Sequence, residues 1–180
     1  MKLISVLSPM NLQPMLENER VCIRPLRATD REALQQAAAD PLIWDQHNAQ
    51  RYRPEVFTPF FEEHLASGGA VIIEDARTGE LLGTSRYETL DYFPEGLEIG
   101  WTFFKRSVWG TGVNQEVKRL MLDHLLRHYR YAVFIVYSKN YRSQRAVEKI
   151  GGRRVDATEF PELFAGKSER VVFLVERKNA

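Results

Sequence analysis

Between Leu97 and Phe104 the residues Leu97, Ile99, Trp101 and Phe103 alternate with Glu98, Gly100, Thr102 and Phe104. That period of two is the pattern of a strand. The alternation breaks at Lys105-Arg106-Ser107 and runs into Trp109-Gly110-Thr111-Gly112. From Val113 the period changes: Val113, Val117, Leu120, Met121 and Leu125 share one face of a helix predicted to continue to Arg130. Tyr131 to Tyr137 is a continuous apolar run, as in a strand buried on both faces, and Asn140 to Ile150 reads as a helix with Ala146, Val147 and Ile150 inward.

The earlier half gives a leader over residues 1–15, then a short strand Arg20–Arg24 stopped by Pro25. Thr29 to Glu32 is a capping box for a helix through Ala39, ended by Asp40-Pro41. Trp44 to Arg53 has no period and reads as a loop. Thr58-Pro59 offers a second helix start, closed by Gly68-Gly69. Strands Ala70–Asp75 and Glu80–Glu88 flank the turn Ala76–Gly79, and Val155–Phe160 and Ser168–Arg177 are the last strands. Strands clustered before one strand–helix–strand–helix unit indicate a mixed α/β sheet with helices on both faces, in one domain spanning 16–180.

The strand–turn–helix from Glu98 to Asn114 carries the chemistry. The first N–H groups of a helix lack internal partners and sit at the positive end of its dipole. Two glycines let an anion approach the backbone without a Cβ in the way. Only one residue separates Gly110 from Gly112, which excludes a Walker loop, and Gln115 stands where a dinucleotide fingerprint needs its third glycine. The residues alone support a phosphate-binding turn or a plain turn.

The wider context is more specific. EIGWTF, a basic break, WGTGVNQEVKRLMLDHLL, the strand AVFIVY and N-x-x-S-x-x-A-V-E-K-I-G-G follow one another in order. Together they resemble the GNAT superfamily of acetyl-CoA-dependent N-acetyltransferases, and most of all its ribosomal-protein N-terminal acetyltransferase (RimJ/RimL-like) branch. The resemblance runs from Leu16 to Glu176. It implies a central mixed, mostly antiparallel sheet with two splayed parallel strands, and acetyl-CoA as co-substrate. It implies that Trp109, Gly110, Thr111, Gly112, Val113 and Asn114 grip the pyrophosphate, that Thr102, Phe103 and Phe104 pair with the pantetheine arm, and that Asn140 meets the same arm. The family often places a basic or amide side chain three residues before the first glycine; here that residue is Ser107, with Arg106 beside it. Many members place a tyrosine acid seven residues after the asparagine; here Val147 stands there. Ser143 takes the position from which the ribosomal branch puts a serine near the thioester sulfur, which implies a catalytic role as hydrogen-bond donor to the leaving thiolate, directly or through water.

For catalysis, Glu98 is the candidate general base, on a strand face with Gly100, whose missing side chain leaves room for a ligand. A solvated sheet carboxylate is the alternative reading of Glu98. Asn140 reads equally well as a helix cap, and Ser143 as a first-turn serine.

Composition narrows the rest. The chain has 180 residues, 25 basic against 24 acidic, for a net charge of +1. No field is strong enough to imply nucleic acid or a membrane surface. The single cysteine, Cys22, excludes an internal disulfide and a multi-cysteine metal site. The four histidines show no metal spacing, so no metal is expected. No apolar run approaches the ~20 residues of a membrane helix, and Leu3–Leu7 is too short for a signal core; a cytoplasmic location follows as the expectation. Three readings stand: an N-acetyltransferase acting on a protein N-terminus or small-molecule amine, as monomer or homodimer; a non-catalytic acyl-CoA-binding regulator; and a structural protein with a chance G-x-G.

Overall fold

The computed structural model describes residues 9–166 and 168–178. Eight strands form one sheet: β1 (Leu16–Glu17), β2 (Val21–Pro25), β3 (Ala70–Asp75), β4 (Leu81–Thr89), β5 (Gly96–Phe104), β6 (Tyr131–Tyr137), β7 (Arg153–Val155) and β8 (Arg170–Glu176), in spatial order β1-β2-β3-β4-β5-β6-β8-β7. Every neighbouring pair is antiparallel except β5 and β6. This is the mixed α/β sheet expected. The parallel pair meets only over Gly96–Glu98 and Tyr131–Val133. Beyond Glu98 the two strands part, and the sheet opens into a fork.

Four helices cover it: α1 (Arg31–Ala38), α2 (Pro54–Ala66), α3 (Val113–Leu125) and α4 (Tyr141–Lys149). On one face α3 and α4 bury Val117, Met121, Leu125 and Val147 against Val21, Ile23, Leu97, Ile99, Ala132 and Phe134. On the other face α1 and α2 bury Leu34, Phe57 and Phe61 against Ile72 and Phe103. That second face has a separate cluster of Phe93, Val133, Leu163 and Val172 under the segment after β7. The polar side chains of Arg86, Glu88 and Glu98 belong to neither cluster.

Several expected boundaries shift, each for a local reason. Helix α1 is not capped by a Thr29–Glu32 box. The Asp30 carboxylate accepts from the Arg27 N–H at 2.8 Å and pairs with Arg24, so residues 28–30 wind as a 3₁₀ turn first. Helix α2 begins four residues before the expected cap, at Pro54 rather than Thr58. Arg53 is extended, its carbonyl accepts from the Val56 and Phe57 N–H groups, and Pro59 lies inside the helix. Helix α3 stops at Leu125 rather than Arg130, because His128 and Tyr129 N–H turn back onto the Leu125 carbonyl and Arg130 N–H bonds Glu95. Leu122 rather than Leu120 is the buried residue of that turn. After β7, Asp156 accepts from Thr158 and Glu159 N–H and folds a turn where a strand to Phe160 was expected.

Residues 1–8 of the expected leader and Lys167 of the loop after Pro161 lie outside the described residues. Over residues 9–15 the leader has no helix or strand, yet Met10 and Leu12 pack on the core.

Candidate active site

Strand β5 does not keep its period of two. Its register against β4 runs Arg86↔Gly100 and then Thr84↔Phe103, so Trp101 and Thr102 together oppose Ser85. This is a β-bulge, and Trp101 takes φ +52°, a left-handed conformation that costs a bulky residue about 1–3 kcal/mol. The Arg86 guanidinium lies 3.9 Å over the Trp101 ring and holds it. The bulge turns Trp101 and Phe103 toward α2, while Thr102 and Phe104 face α3. Residues 99–104 of β5 have a ladder with β4 on one edge and none with β6 on the other.

Glu98 sits at the closed end of the fork, opposite Glu88 on β4 and Val133 on β6, and is 9% exposed. The space over Gly100 is not open, as the sequence reading had it. A Cβ there would stand 3.0 Å from Glu98 Oε1, so the glycine makes room for the Glu98 carboxylate itself. Arg86 pairs with Glu88 and, at 3.3 Å, with Glu63 of α2. Behind it, His64 is fully buried, Nε2 2.9 Å from Thr84 Oγ1. Burial, with Arg86 and Arg51 nearby, pushes its ionisation down to about 3, so the ring is neutral.

The glycine turn lies at the open end. Gly110 and Gly112 take φ +76° and +87°, which only glycine adopts readily. Gly112 is the N-cap of α3 and offers no side-chain cap; among the described residues nothing takes the N–H groups of Val113, Asn114 and Gln115. Trp109 fastens the turn, its indole N–H donating to Phe104 O at 3.2 Å. Thr111 Oγ1 donates to Val108 O, and the Thr111 carbonyl accepts from Arg20 at 2.8 Å. Arg20, in the bend between β1 and β2, thus brings positive charge beside Gly112 across a sequence separation of 91 residues from Thr111, a contact no local pattern announces. Asn114 Oδ1 is buried with no hydrogen-bond partner, an acceptor suited to an amide N–H of a bound arm. An uncapped helix start, an adjacent guanidinium and this orphan acceptor fit a phosphorylated ligand with an amide-bearing tail.

Across the fork, Asn140 is buried and caps α4, its side chain accepting from the Ser143 N–H at 3.0 Å. Ser143 is half-buried in the first turn. Both stand beyond the end of β6, about 13 Å or more along the strand from Val133, so Ser143 belongs to the open end and Glu98 to the closed one. Arg142 bridges the mouth. Its guanidinium lies 4.2 Å over Trp109, bonds Ile43 O at 2.8 Å and pairs with Asp45 at 3.0 Å, tying the loop before α2 across the gap.

The model of the acetyltransferase (GNAT) domain family matches residues 20–153, about three quarters of the chain. The chain belongs to the GNAT acetyltransferase family. Its fold is similar to that of a GCN5-related N-acetyltransferase from Brucella melitensis, with TM-score 0.75 and 18% identity over 92% of this chain and 79% of that one. It is also similar to a GNAT-family acetyltransferase from Bacillus anthracis, with TM-score 0.72 and 18% identity over 92% and 100%. Spermidine N-acetyltransferase from Vibrio cholerae, solved with CoA and spermine, matches with TM-score 0.64 and 15% identity over 89% and 97%.

GNAT acetyltransferases take acetyl-CoA as their acetyl donor. The expected site residues gather around the fork. Among the described residues no three His, Cys, Asp or Glu side chains converge as a metal site would need, and no helix is long and apolar enough to cross a membrane.

Proposed function

We propose that this acetyltransferase moves the acetyl group of acetyl-CoA to a weakly basic primary amine, with a peptide N-terminal α-amine as acceptor. The observation that carries the proposal is Glu98, a carboxylate at the closed end of the fork, bent over Gly100 on the face that lies between the two apolar clusters. In this reading the turn Trp109–Asn114 and Arg20 hold the pyrophosphate, and the open edge of Thr102–Phe104 aligns the pantetheine arm. Asn140 and Ser143 border the arm at the mouth. Glu98 takes the proton shed by the attacking amine, directly or through water.

The choice of acceptor rests on the single candidate base proposed at the fork. His64 is buried and neutral, Glu63 and Glu88 lie on α2 and β4 and pair with Arg86, and Glu98 is taken as the base for its place on β5 at the closed end of the fork. An α-amine, with a reference pKa near 8, is about a tenth neutral at pH 7; a lysine near 10.4 is neutral in about one molecule in two thousand. The difference is roughly 3 kcal/mol of deprotonation that one carboxylate need not drive. The RimJ/RimL-like resemblance supports the same acceptor. The test is a peptide with a free N-terminus and an internal lysine, incubated with acetyl-CoA and mapped by mass spectrometry, with spermidine in a parallel reaction. Acetyl on the N-terminal amine is the expected result. Predominant lysine modification, or turnover of spermidine alone, refutes the α-amine.

A further inference from the structure

Lys118 is a lysine in the core. It lies on the inner face of α3, one turn after Asn114, and is 5% exposed. Its ammonium donates to Thr102 Oγ1 at 2.7 Å and to Ser85 Oγ at 3.2 Å, the residues on the two sides of the β5 bulge. Its Nζ is also 5.7 Å from the centroid of the Phe134 ring on β6. Thr102 and Phe134 stand on the two strands that have separated, four residues past Glu98 on β5 and one past Val133 on β6, so the ammonium lies beside the fork beyond its last paired residues. Among the described residues no carboxylate pairs with it, and no oxygen takes its third N–H. An ammonium in the core with no carboxylate partner is expensive, and a negative charge developing beside it would offset that cost. On α4, Val147 is buried in the same cluster as Phe134.

Taking the fork as the acetyl-transfer site proposed above, we infer that Lys118 is the proton donor to the sulfur that leaves when the acetyl group is transferred. The amine nitrogen bonds to the carbonyl carbon and the carbon–sulfur bond breaks. Lys118 Nζ gives one proton to the departing sulfur, and Glu98 takes one from the new amide nitrogen. Lys118 and Glu98 then exchange one proton each with solvent, so the cycle balances. Burial supports the role: it lowers the ammonium's ionisation to about 7, with no charged side chain contributing, and a donor that titrates near the working pH is the efficient one. The groups facing Nζ are the Ser85 hydroxyl of β4, the Thr102 hydroxyl of β5 and the Phe134 ring of β6. The nearby Tyr87 phenol of β4 is held by the Met121 carbonyl, and burial keeps its ionisation far above the usual range.

The decisive experiment is an NMR titration of the full chain carrying ¹³Cε/¹⁵Nζ-lysine, alone, with CoA and with desulfo-CoA. The Lys118 ¹⁵Nζ titration curve with CoA is expected to differ from the curve with desulfo-CoA, because only CoA sets beside the ammonium a sulfur whose own proton is coupled to it. Identical titrations with the two ligands, in a protein that binds both, overturn the proposal and leave Lys118 as a pin for the bulge. A parent that binds neither ligand overturns the acetyl-transfer reading as well. Lys118→Met supplies the second arm: CoA affinity by calorimetry stays within about threefold while kcat falls about a hundredfold. An unchanged kcat in that variant also overturns it.

Discussion

Replacing Gly112 by alanine separates the phosphate-binding role of the turn from its backbone strain. At φ +87° an L-residue pays about 1–2 kcal/mol. Alanine recovers about 0.4–1 kcal/mol by narrowing the unfolded ensemble. The net loss is about 1 kcal/mol, or about 2–4 °C in Tm for a chain of this size. The new methyl would meet only the end of the Arg20 guanidinium, at 3.4 Å, which can move aside. Gly79 is the matched control: its φ is +71°, a Cβ there meets nothing within 4 Å, and it lies in the β3–β4 turn. The two variants are therefore expected to lose similar stability in thermal melts. They differ in ligand binding. Gly112→Ala places a methyl and a displaced guanidinium where the pyrophosphate would meet the start of α3, and CoA affinity by calorimetry is expected to fall tenfold or more, about 1.4 kcal/mol. Gly79→Ala leaves it unchanged. Equal CoA affinity in folded Gly112→Ala and Gly79→Ala proteins would show that the turn is not the anion site.

Glu98→Gln keeps the shape of the carboxylate and removes its basicity; kcat is expected to drop about a hundredfold with CoA affinity intact, and an unaltered pH–rate profile would make Glu98 structural. His64 and His47 give a stability prediction. Burial pushes both down, His64 with Arg86 and Arg51 to about 3, and His47 with Arg51, Arg142 and Arg170 to about 4. A depressed folded value means the contribution is complete above the unfolded pKa near 6.5 and is lost as pH falls toward 4. Unfolding then takes up one proton per ring, a slope of up to about 1.4 kcal/mol per pH unit each. Denaturant melts of His64→Leu between pH 6.5 and 4 should show the smaller slope; the parental slope in that variant would refute the assignment.

The order of elements was legible because hydrophobic period is a local property. Val113, Val117, Met121 and Leu125 mark a helix, and Tyr131 to Tyr137 a buried strand, whatever surrounds them. The strand–G-x-G–helix sequence likewise announced a helix start with spare N–H groups, since that follows from backbone chemistry alone. Lys118 left a faint trace, as a lysine set between Val117 and Met121 on an otherwise apolar face. Its partners Ser85 and Thr102 lie 33 and 16 residues away, and no pattern links them. The bulge at Trp101 was hidden for a related reason: alternation reports which side chains are apolar, whereas the bulge arises from fitting β5 against β4. Arg20 beside the glycine turn and Arg142 across the mouth are contacts between segments about a hundred residues apart. The sequence by itself determined the order of strands and helices and marked a helix start with spare N–H groups. Only the tertiary structure decided what faces the fork, because parting β5 from β6 brings α3, α4 and the loop before α2 around an opening that no single segment contains.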